Sequence, residues 1–407
     1  MSLLQDHLTI KGLKLYRSIL LLLSLTLFAC QSTNDQLNTS LTNVSIKNLL
    51  IDGAFPTYQQ VKIETAQELF ELDDDIQQIV EEQILPIPNK TRRAKKLLRL
   101  IFINKNQGMD YLSSANITAS EAFHSKTANC LSLTILAYSL AKKSNLEIRF
   151  QEVEIPEFWT RNGQYSLLTG HVNLSIVQAK YKQSVLFYGS KSLQIDFDPY
   201  TTKNHFPRHV IKKSKVISMF YNNKAAQAIV DKKYDVAYAY LKSAITILPN
   251  YSNTWGNLGL LYRLTNQFDL AENTYLHALA LNNNNLTALS NLAILFKMKG
   301  NNNASEIIQR KIENKRKNNP YYYAMKGDEA VFANNLPKAL GFYKKAIRLN
   351  RNIHEIYFSL AKVYFRMNET VKAENAINRA IKLNKLTDID DQYIAKLNLI
   401  KSTELPH

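Results

Sequence analysis

The chain has 407 residues, more than one compact core usually holds, so its length predicts two or three folded units. Hydrophobic residues make up 45% and charged residues 21%, a balance that excludes both a disordered chain and a polytopic membrane protein. The formal net charge is +17. No basic run with interleaved aromatic residues occurs, so we expect solvated surface charge and no nucleic acid partner, with attraction to an anionic membrane or protein as the alternative.

Residues 1–30 have the pattern of a signal peptide, because basic residues precede a short apolar segment from Ile19 to Phe28. This segment is too short to span a bilayer as a mature helix. It ends at Ala29-Cys30 and resembles the lipobox of bacterial lipoproteins. The resemblance implies lipidation of Cys30 and, from Gln31 as the following residue, an outer-membrane anchor that faces the periplasm. The alternative is a conventionally cleaved secreted protein or a protein that this segment anchors in the membrane.

The polar, Asn- and Thr-rich residues 31–60 have the composition of a tether. From residue 61 to about 215, apolar residues first recur at helical spacing and then alternate as in strands. We predict strands over 148–155, 170–177, 184–188 and 193–197. Helices followed by strands predict an α+β domain.

One cysteine and one histidine of this domain occupy positions that suit acyl transfer. Cys130 opens an apolar helical segment, where the helix dipole favours a thiolate. His171 alternates with apolar residues on a predicted strand, and Asp196 and Asp198 end the next one. A nucleophile on a helix, a base on a strand and an orienting carboxylate form a Cys-His-Asp arrangement. A packed cysteine and a structural histidine are the alternative interpretation.

The segment from Ile117 through Cys130 to Ser132, with Gly170-His171-Val172-Asn173 and Ile195-Asp196-Phe197, resembles bacterial transglutaminase-like proteins that carry tetratricopeptide tails. The resemblance implies a papain-like triad on an α+β core. It implies no particular reaction, because that superfamily includes proteases, amidases and inactive members.

Two positions of this site stay open. The family context favours Asp196 as the third triad member, whereas the Asp-Pro pair of classical transglutaminases favours Asp198. The backbone N–H of Cys130 is the natural oxyanion donor, and Gln151 is a candidate second donor or simply a polar residue of a strand. Trp159 lies in a polar loop, where it either walls the cleft or packs.

Residues 218–387 repeat every 34 residues in the pattern of tetratricopeptide units. With Trp255 at position 4, Gly259 and Tyr262 fall where the motif requires a small and an aromatic residue. Position 4 of the other units is occupied by Tyr221, Leu289, Tyr323 and Tyr357. The predicted fold is therefore an α+β transglutaminase-like domain (61–215) followed by an all-α tetratricopeptide-repeat solenoid and a C-terminal helix or tail (388–407).

Two functions follow from this organisation. The first is a lipid-anchored cysteine acyl-transferase or amide hydrolase, to which the repeats present a protein or peptide. The alternative is a non-catalytic scaffold for protein–protein interaction with a passive transglutaminase-like domain. We expect a peptide partner on the inner face of the array, at Asn223, Asn257, Asn291 and Arg366. We expect no cofactor and no metal, because the eight histidines lack ligand spacing and no phosphate loop occurs.

Overall fold

A computed structural model describes residues 46–102, 110–112, 114–162, 165–176, 193–195, 206–384, 393–394 and 396–397. Cys30, Asp196, Asp198 and the strand predicted over 184–188 lie outside the described residues. Helices and strands up to β6 form an α+β part, and the remaining helices form consecutive pairs.

In the part of the chain that the structure describes, four α-helices precede the main sheet, and the last is the most buried. Thr118 starts the third helix with a capping box, in which its side chain accepts from the backbone of Glu121 and the Glu121 carboxylate accepts from the backbone of Thr118. The helices are α1 (Asp74–Gln83), α2 (Lys90–Phe102), α3 (Ala119–Ser125) and α4 (Cys130–Lys143).

The sheet has the strand order β5-β4-β3-β6, and all its pairings are antiparallel. Its strands are β3 (Ile148–Asn162), β4 (Tyr165–Ile176), β5 (Leu193–Ile195) and β6 (Arg208–Ile211), and a separate parallel pair joins β1 (Asp110–Tyr111) to β2 (Thr127–Ala128). Helix α4 packs on this sheet, where Tyr138 stacks on Phe150 with ring centroids 4.3 Å apart.

Strands β3 and β4 extend well beyond the predicted strands. A register shift between Val153 and Phe158 separates the core of the sheet from a two-stranded extension, 157–162 with 165–169, which we call the arm. The predicted polar loop that contains Trp159 therefore belongs to paired strands. Its polar composition concealed this, because the arm packs on a repeat helix far along the chain and not on the domain core.

Five helix pairs follow the sheet in the 34-residue register. Their helices are α5 (Lys213–Val230), α6 (Tyr234–Ile247), α7 (Ser252–Leu264), α8 (Phe268–Leu281), α9 (Leu286–Met298), α10 (Asn302–Arg316), α11 (Pro320–Phe332), α12 (Leu336–Leu349), α13 (His354–Arg366) and α14 (Thr370–Leu383). The turn inside each pair has one residue with positive φ, at Lys232, Asn266, Gly300, Asn334 and Asn368. Their spacing of 34 shows that the same backbone turn recurs in every unit.

Large and small residues meet inside repeats 2 and 4 as the motif requires. Trp255 is fully buried, and a Cβ on Gly259 would lie 2.7 Å from the ring of Tyr275. The first helices of repeats 1 to 3 pack in series, α5 on α7 and α7 on α9. Stacked pairs with such close contacts bury a continuous core.

That core divides between repeats 3 and 4. One buried cluster runs from Leu49 through the α+β part to Ile312, and a second begins at Tyr322. Helix α11 packs on α12 and on strand β3, and it scarcely contacts α9 or α10. Repeats 4 and 5 therefore form a body whose side toward repeat 3 is covered by the arm.

Residues 46–60, which composition predicts as part of a tether, pack against repeats 1 and 2. Phe55 is 2% exposed and stacks on Tyr238, with ring centroids 4.5 Å apart. The Tyr262 hydroxyl donates to the backbone oxygen of Leu49 at 2.8 Å. A few apolar residues thus hold this polar segment against the repeats, and the average composition of the segment does not reveal the contact. We call residues 46–64 the strap.

Two carboxylates hold the strap to the repeats. Asp52 accepts hydrogen bonds from the Lys242 ammonium at 2.7 Å and from the Tyr238 hydroxyl at 2.9 Å. The Lys242 bond is the main cause of a lowered pKa at Asp52. At Glu64, burial acts to raise the pKa, but hydrogen bonds from Lys224 and Tyr240 outweigh it and the pKa is lowered. Both carboxylates are therefore stabilised in their charged form.

Candidate functional site

Cys130 is the first residue of α4, and an asparagine fixes the start of this helix. The side-chain oxygen of Asn129 accepts a hydrogen bond from the backbone N–H of Ser132 at 2.9 Å. Ser132 in turn accepts from the backbone of Ile117 at 2.8 Å and donates to the backbone oxygen of Ala115. Cys130 is partly exposed and its thiol is free. Its backbone is thus held rigidly at the positive end of the helix dipole.

The first turn of α4 reaches strand β4 beside the predicted base. The Thr134 hydroxyl lies 2.7 Å from the backbone oxygen of Cys130 and 3.2 Å from that of Val172. Val172 directly follows His171. The structure therefore brings the helix start that carries Cys130 against the strand that carries His171.

The strand at this point has buried polar side chains. His171 is 4% exposed, Asn173 is fully buried and Ser175 is 5% exposed. Gln151 pairs with Asn173, and the next same-face pair along the strands is Val153 with His171. Gln151 and His171 therefore share one face of the sheet, and Gln151 has a buried side-chain oxygen without a hydrogen bond within the described residues. Buried polar groups are costly unless they are hydrogen-bonded, so a row of them marks a place where a strand serves more than packing.

The two candidates for the third triad position, Asp196 and Asp198, lie outside the described residues. Ile195, the last residue of β5, pairs with Leu174. Both aspartates come soon after this strand in the sequence. Cys30 also lies outside the described residues.

The inner face of the repeats is formed by their first helices, and the four residues predicted there differ in exposure. Asn223 and Arg366 are exposed, and Asn257 and Asn291 are half-buried. Asn257 donates to the side chain of Asn222 at 2.9 Å, which joins repeats 1 and 2. Asn223 and Asn291 are therefore the better probes of this face.

No local pattern indicates that the arm contacts the junction of repeats 3 and 4. The guanidinium of Arg316, whose side chain is 5% exposed, donates to both carboxylate oxygens of Glu157 at 2.7 Å. It also lies 4.8 Å from the ring centroid of Trp159. Arg316 occurs in the densest basic stretch of the chain, so its burial is concealed among solvated lysines. Trp159 thus packs on the repeats.

A small group of potential metal ligands lies between the start of α1 and helix α3. His124 lies 3.0 Å from Asp73 and 3.8 Å from Asp75, and all three residues are exposed. Carboxylates at a helix N-terminus interact with the helix dipole, and a nearby imidazole completes an ordinary surface ion pair. Among the described helices, none combines the length and apolar character that crossing a membrane requires.

Comparison with known proteins supports the repeats. The tetratricopeptide repeat family matches residues 252–285 and 354–385, which are repeats 2 and 5. A TPR repeat-containing protein of Methanocaldococcus jannaschii is 34% identical over 82 residues, 20% of this chain and 14% of that protein. The chain thus spans about a seventh of the length of that relative. With the recurring turn and the helix pairs, the family match establishes tetratricopeptide repeats in the C-terminal region.

Solved structures that match part of this chain include three repeat proteins. The pilF protein of Pseudomonas aeruginosa is 17% identical, with 46% of this chain and 91% of that chain covered and a TM-score of 0.28. A tetratricopeptide repeat protein of Parabacteroides merdae is 18% identical, with 45% and 71% covered and a TM-score of 0.31. YrrB, described as a TPR protein with an unusual peptide-binding site, is 13% identical, with 43% and 90% covered and a TM-score of 0.25.

Proposed function

We propose that this protein is an interaction scaffold that binds an extended peptide or protein segment on the inner face of its tetratricopeptide array. The observation that carries the proposal is the unbroken series of first helices α5, α7 and α9, whose surface bears Asn223, Asn257 and Asn291 at one register position. Asparagine side chains offer both donors and acceptors to a peptide backbone, which gives affinity with modest sequence dependence.

Peptide selection against the purified full chain tests this proposal. Selected peptides are measured by fluorescence anisotropy with wild type, Asn291→Arg and Asn273→Arg. Asn273 is exposed on α8, the second helix of repeat 2, so it is a matched control for the same change on the outer side. We expect at least about a tenfold loss of affinity from Asn291→Arg and none from Asn273→Arg, since ~1.4 kcal/mol corresponds to tenfold. Equal affinities for all three would contradict the proposal.

A second candidate function is thiol-dependent acyl transfer in a transglutaminase-like site. It is supported by the contact of the α4 start with β4 beside His171, through Thr134. In this reaction the Cys130 thiolate attacks an acyl carbonyl, the leaving group departs with a proton from the imidazolium, and water or an amine resolves the thioester. Asp196 or Asp198 would orient the imidazole, and Gln151 with the Cys130 N–H would stabilise the oxyanion.

Labelling with a small thiolate-reactive electrophile tests the second candidate. We expect rapid labelling of wild type, none of Cys130→Ala and a rate reduced about 10²-fold in His171→Ala. Equal labelling rates for wild type and His171→Ala would show that no imidazole assists the thiol. Lipidation of Cys30 and a position at the outer membrane belong to both proposals, because an anchor would keep either activity at the envelope.

A further inference from the structure

The contact between the arm and the start of repeat 4 has the features of peptide recognition. The two hydrogen bonds from Arg316 to Glu157 are parallel and bidentate. Asn319, the N-cap of α11, donates from its side chain to the backbone oxygen of Glu157 at 2.8 Å. Arg316 therefore binds the carboxylate of Glu157, and Asn319 binds the backbone oxygen of the same residue. We call Arg316, Asn319 and Tyr322 the arm-binding surface.

Aromatic contacts continue this recognition along the arm. Trp159 lies with its ring centroid 6.3 Å from that of Tyr322, and Phe158 lies 6.0 Å from Tyr321. Farther along the strand, the Arg161 guanidinium is 4.7 Å from the ring centroid of Phe332. The order of recognised groups is therefore acidic residue, two aromatic residues and a cation two positions later.

Removal of the arm from the arm-binding surface costs free energy. An arginine that is 5% exposed needs a carboxylate partner, because an unpaired buried charge costs several kcal/mol. Tyr322 starts the second core, and the Arg316 guanidinium at the end of α10 lies 5.7 Å from its ring centroid. Whatever displaces the arm must supply the same two features, an acidic group and an aromatic face.

The arm, in contrast, does not need the arm-binding surface to keep the domain core closed. It lies beyond the register shift, and none of its residues is a buried member of the first cluster. Tyr165 packs against that cluster as a partly buried side chain, as Trp159 does against the second. Leu168, across the strand pair from Trp159, is 39% exposed. The arm can therefore leave repeat 4 without opening the domain core.

We propose that the arm-binding surface accepts from a protein partner an extended segment in which an acidic residue precedes aromatic residues, and that the arm is its resident ligand. This inference rests on the proposed binding of peptides by the repeats, and it specifies the chemistry of the peptide that binds at the start of repeat 4. A linked ligand acts at an effective concentration in the millimolar range, so a partner binds weakly until the arm is released. The net charge of +17 attracts such acidic partners.

The test uses the full chain and a fluorescent synthetic peptide of residues 155–169. In the arm variant, Glu157→Gln with Trp159→Ala, the resident ligand is weakened and the surface is intact. We expect this variant to bind the peptide at least tenfold more tightly than wild type does. A peptide with glutamine in place of Glu157 should bind it at least tenfold more weakly. Equal affinity of wild type and the arm variant, or no binding by either, would overturn the proposal.

Changes on the repeat side complete the test. Arg316→Gln in the arm variant should abolish peptide binding, and Arg316→Lys, which retains the charge without the bidentate geometry, should weaken it about tenfold. Helical circular dichroism checks that each variant is folded, and the lysine variant gives the answer should the glutamine variant fail to fold. Binding unaffected by either change would place the peptide elsewhere and refute the assignment. Asn291→Arg should leave the affinity for the arm peptide unchanged and lower the affinity for the selected peptides. Failure of one proposal is therefore distinguishable from failure of the other.

Discussion

Substitution of Gly327 by alanine tests the close approach of the two helices in repeat 4. A Cβ at this position would lie 2.6 Å from Cε1 and 2.8 Å from Cδ1 of the Tyr343 ring. This ring cannot move aside easily, because Tyr343 is 1% exposed and its hydroxyl donates to Asp328 at 2.5 Å. Overpacking of this kind costs ~1–3 kcal/mol. The higher helix propensity of alanine offsets ~1 kcal/mol of that cost.

Gly341 in the same repeat is the matched control. It lies inside α12, it is exposed, and a Cβ there would meet nothing within 4 Å. Gly341→Ala should therefore stabilise the protein by ~0.5–1 kcal/mol. In urea unfolding followed by circular dichroism, we expect Gly327→Ala to be less stable than Gly341→Ala by ~1–3 kcal/mol, the overpacking cost alone. Equal stabilisation by both substitutions would refute the close approach.

Four other predictions concern the remaining parts of the chain. The pKa values of Asp52 and Glu64 are lowered from ordinary values of 3.8 and 4.5, so their stabilisation is complete above those values and is lost as the pH falls through the lowered ones. Hydrogen exchange of the strap should therefore accelerate in acid before that of α7, and Glu64→Gln should reduce this pH dependence. Lys232 adopts φ 58, so Lys232→Gly should raise the urea midpoint through relief of ~1 kcal/mol of strain, whereas an unchanged or lower midpoint would contradict this. If Asp196 or Asp198 orients His171, Asp196→Asn and Asp198→Asn should slow Cys130 labelling unequally, and a wild-type labelling rate in both variants would exclude both aspartates. Cys30→Ser should release the protein from the membrane fraction, and recovery of unlipidated soluble wild type would contradict the anchor.

The sequence predicted the repeats well because their constraint is local and periodic. The 34-residue register assigned Trp255 and Tyr221 to position 4 of the motif and Gly259 to a small-residue position. In the structure both aromatic side chains are buried, and a Cβ on Gly259 would meet the Tyr275 ring. Periodicity could not predict the division between repeats 3 and 4. Helix α10 is only one residue longer than its counterparts, and only long-range packing shows that α11 turns to the arm.

The candidate site was predicted in its residue types and only partly in its surroundings. The start of α4 at Cys130 follows from Asn129, a strong N-cap residue before an apolar run. The bridging role of Thr134 depends on where β4 lies, which no local pattern indicates. The arm and the strap were missed for one reason: each docks through a few residues in a polar segment onto helices more than 100 positions away.

Hydrogen exchange of the full chain with a bound selected peptide tests the central claim, binding on the inner face of the repeats, most directly. We predict slower exchange in the first helices α7 and α9, which form that face, and little change in the second helices α6 and α8. Protection confined to α6 and α8, or no protection in the repeats at saturating peptide, would contradict the claim.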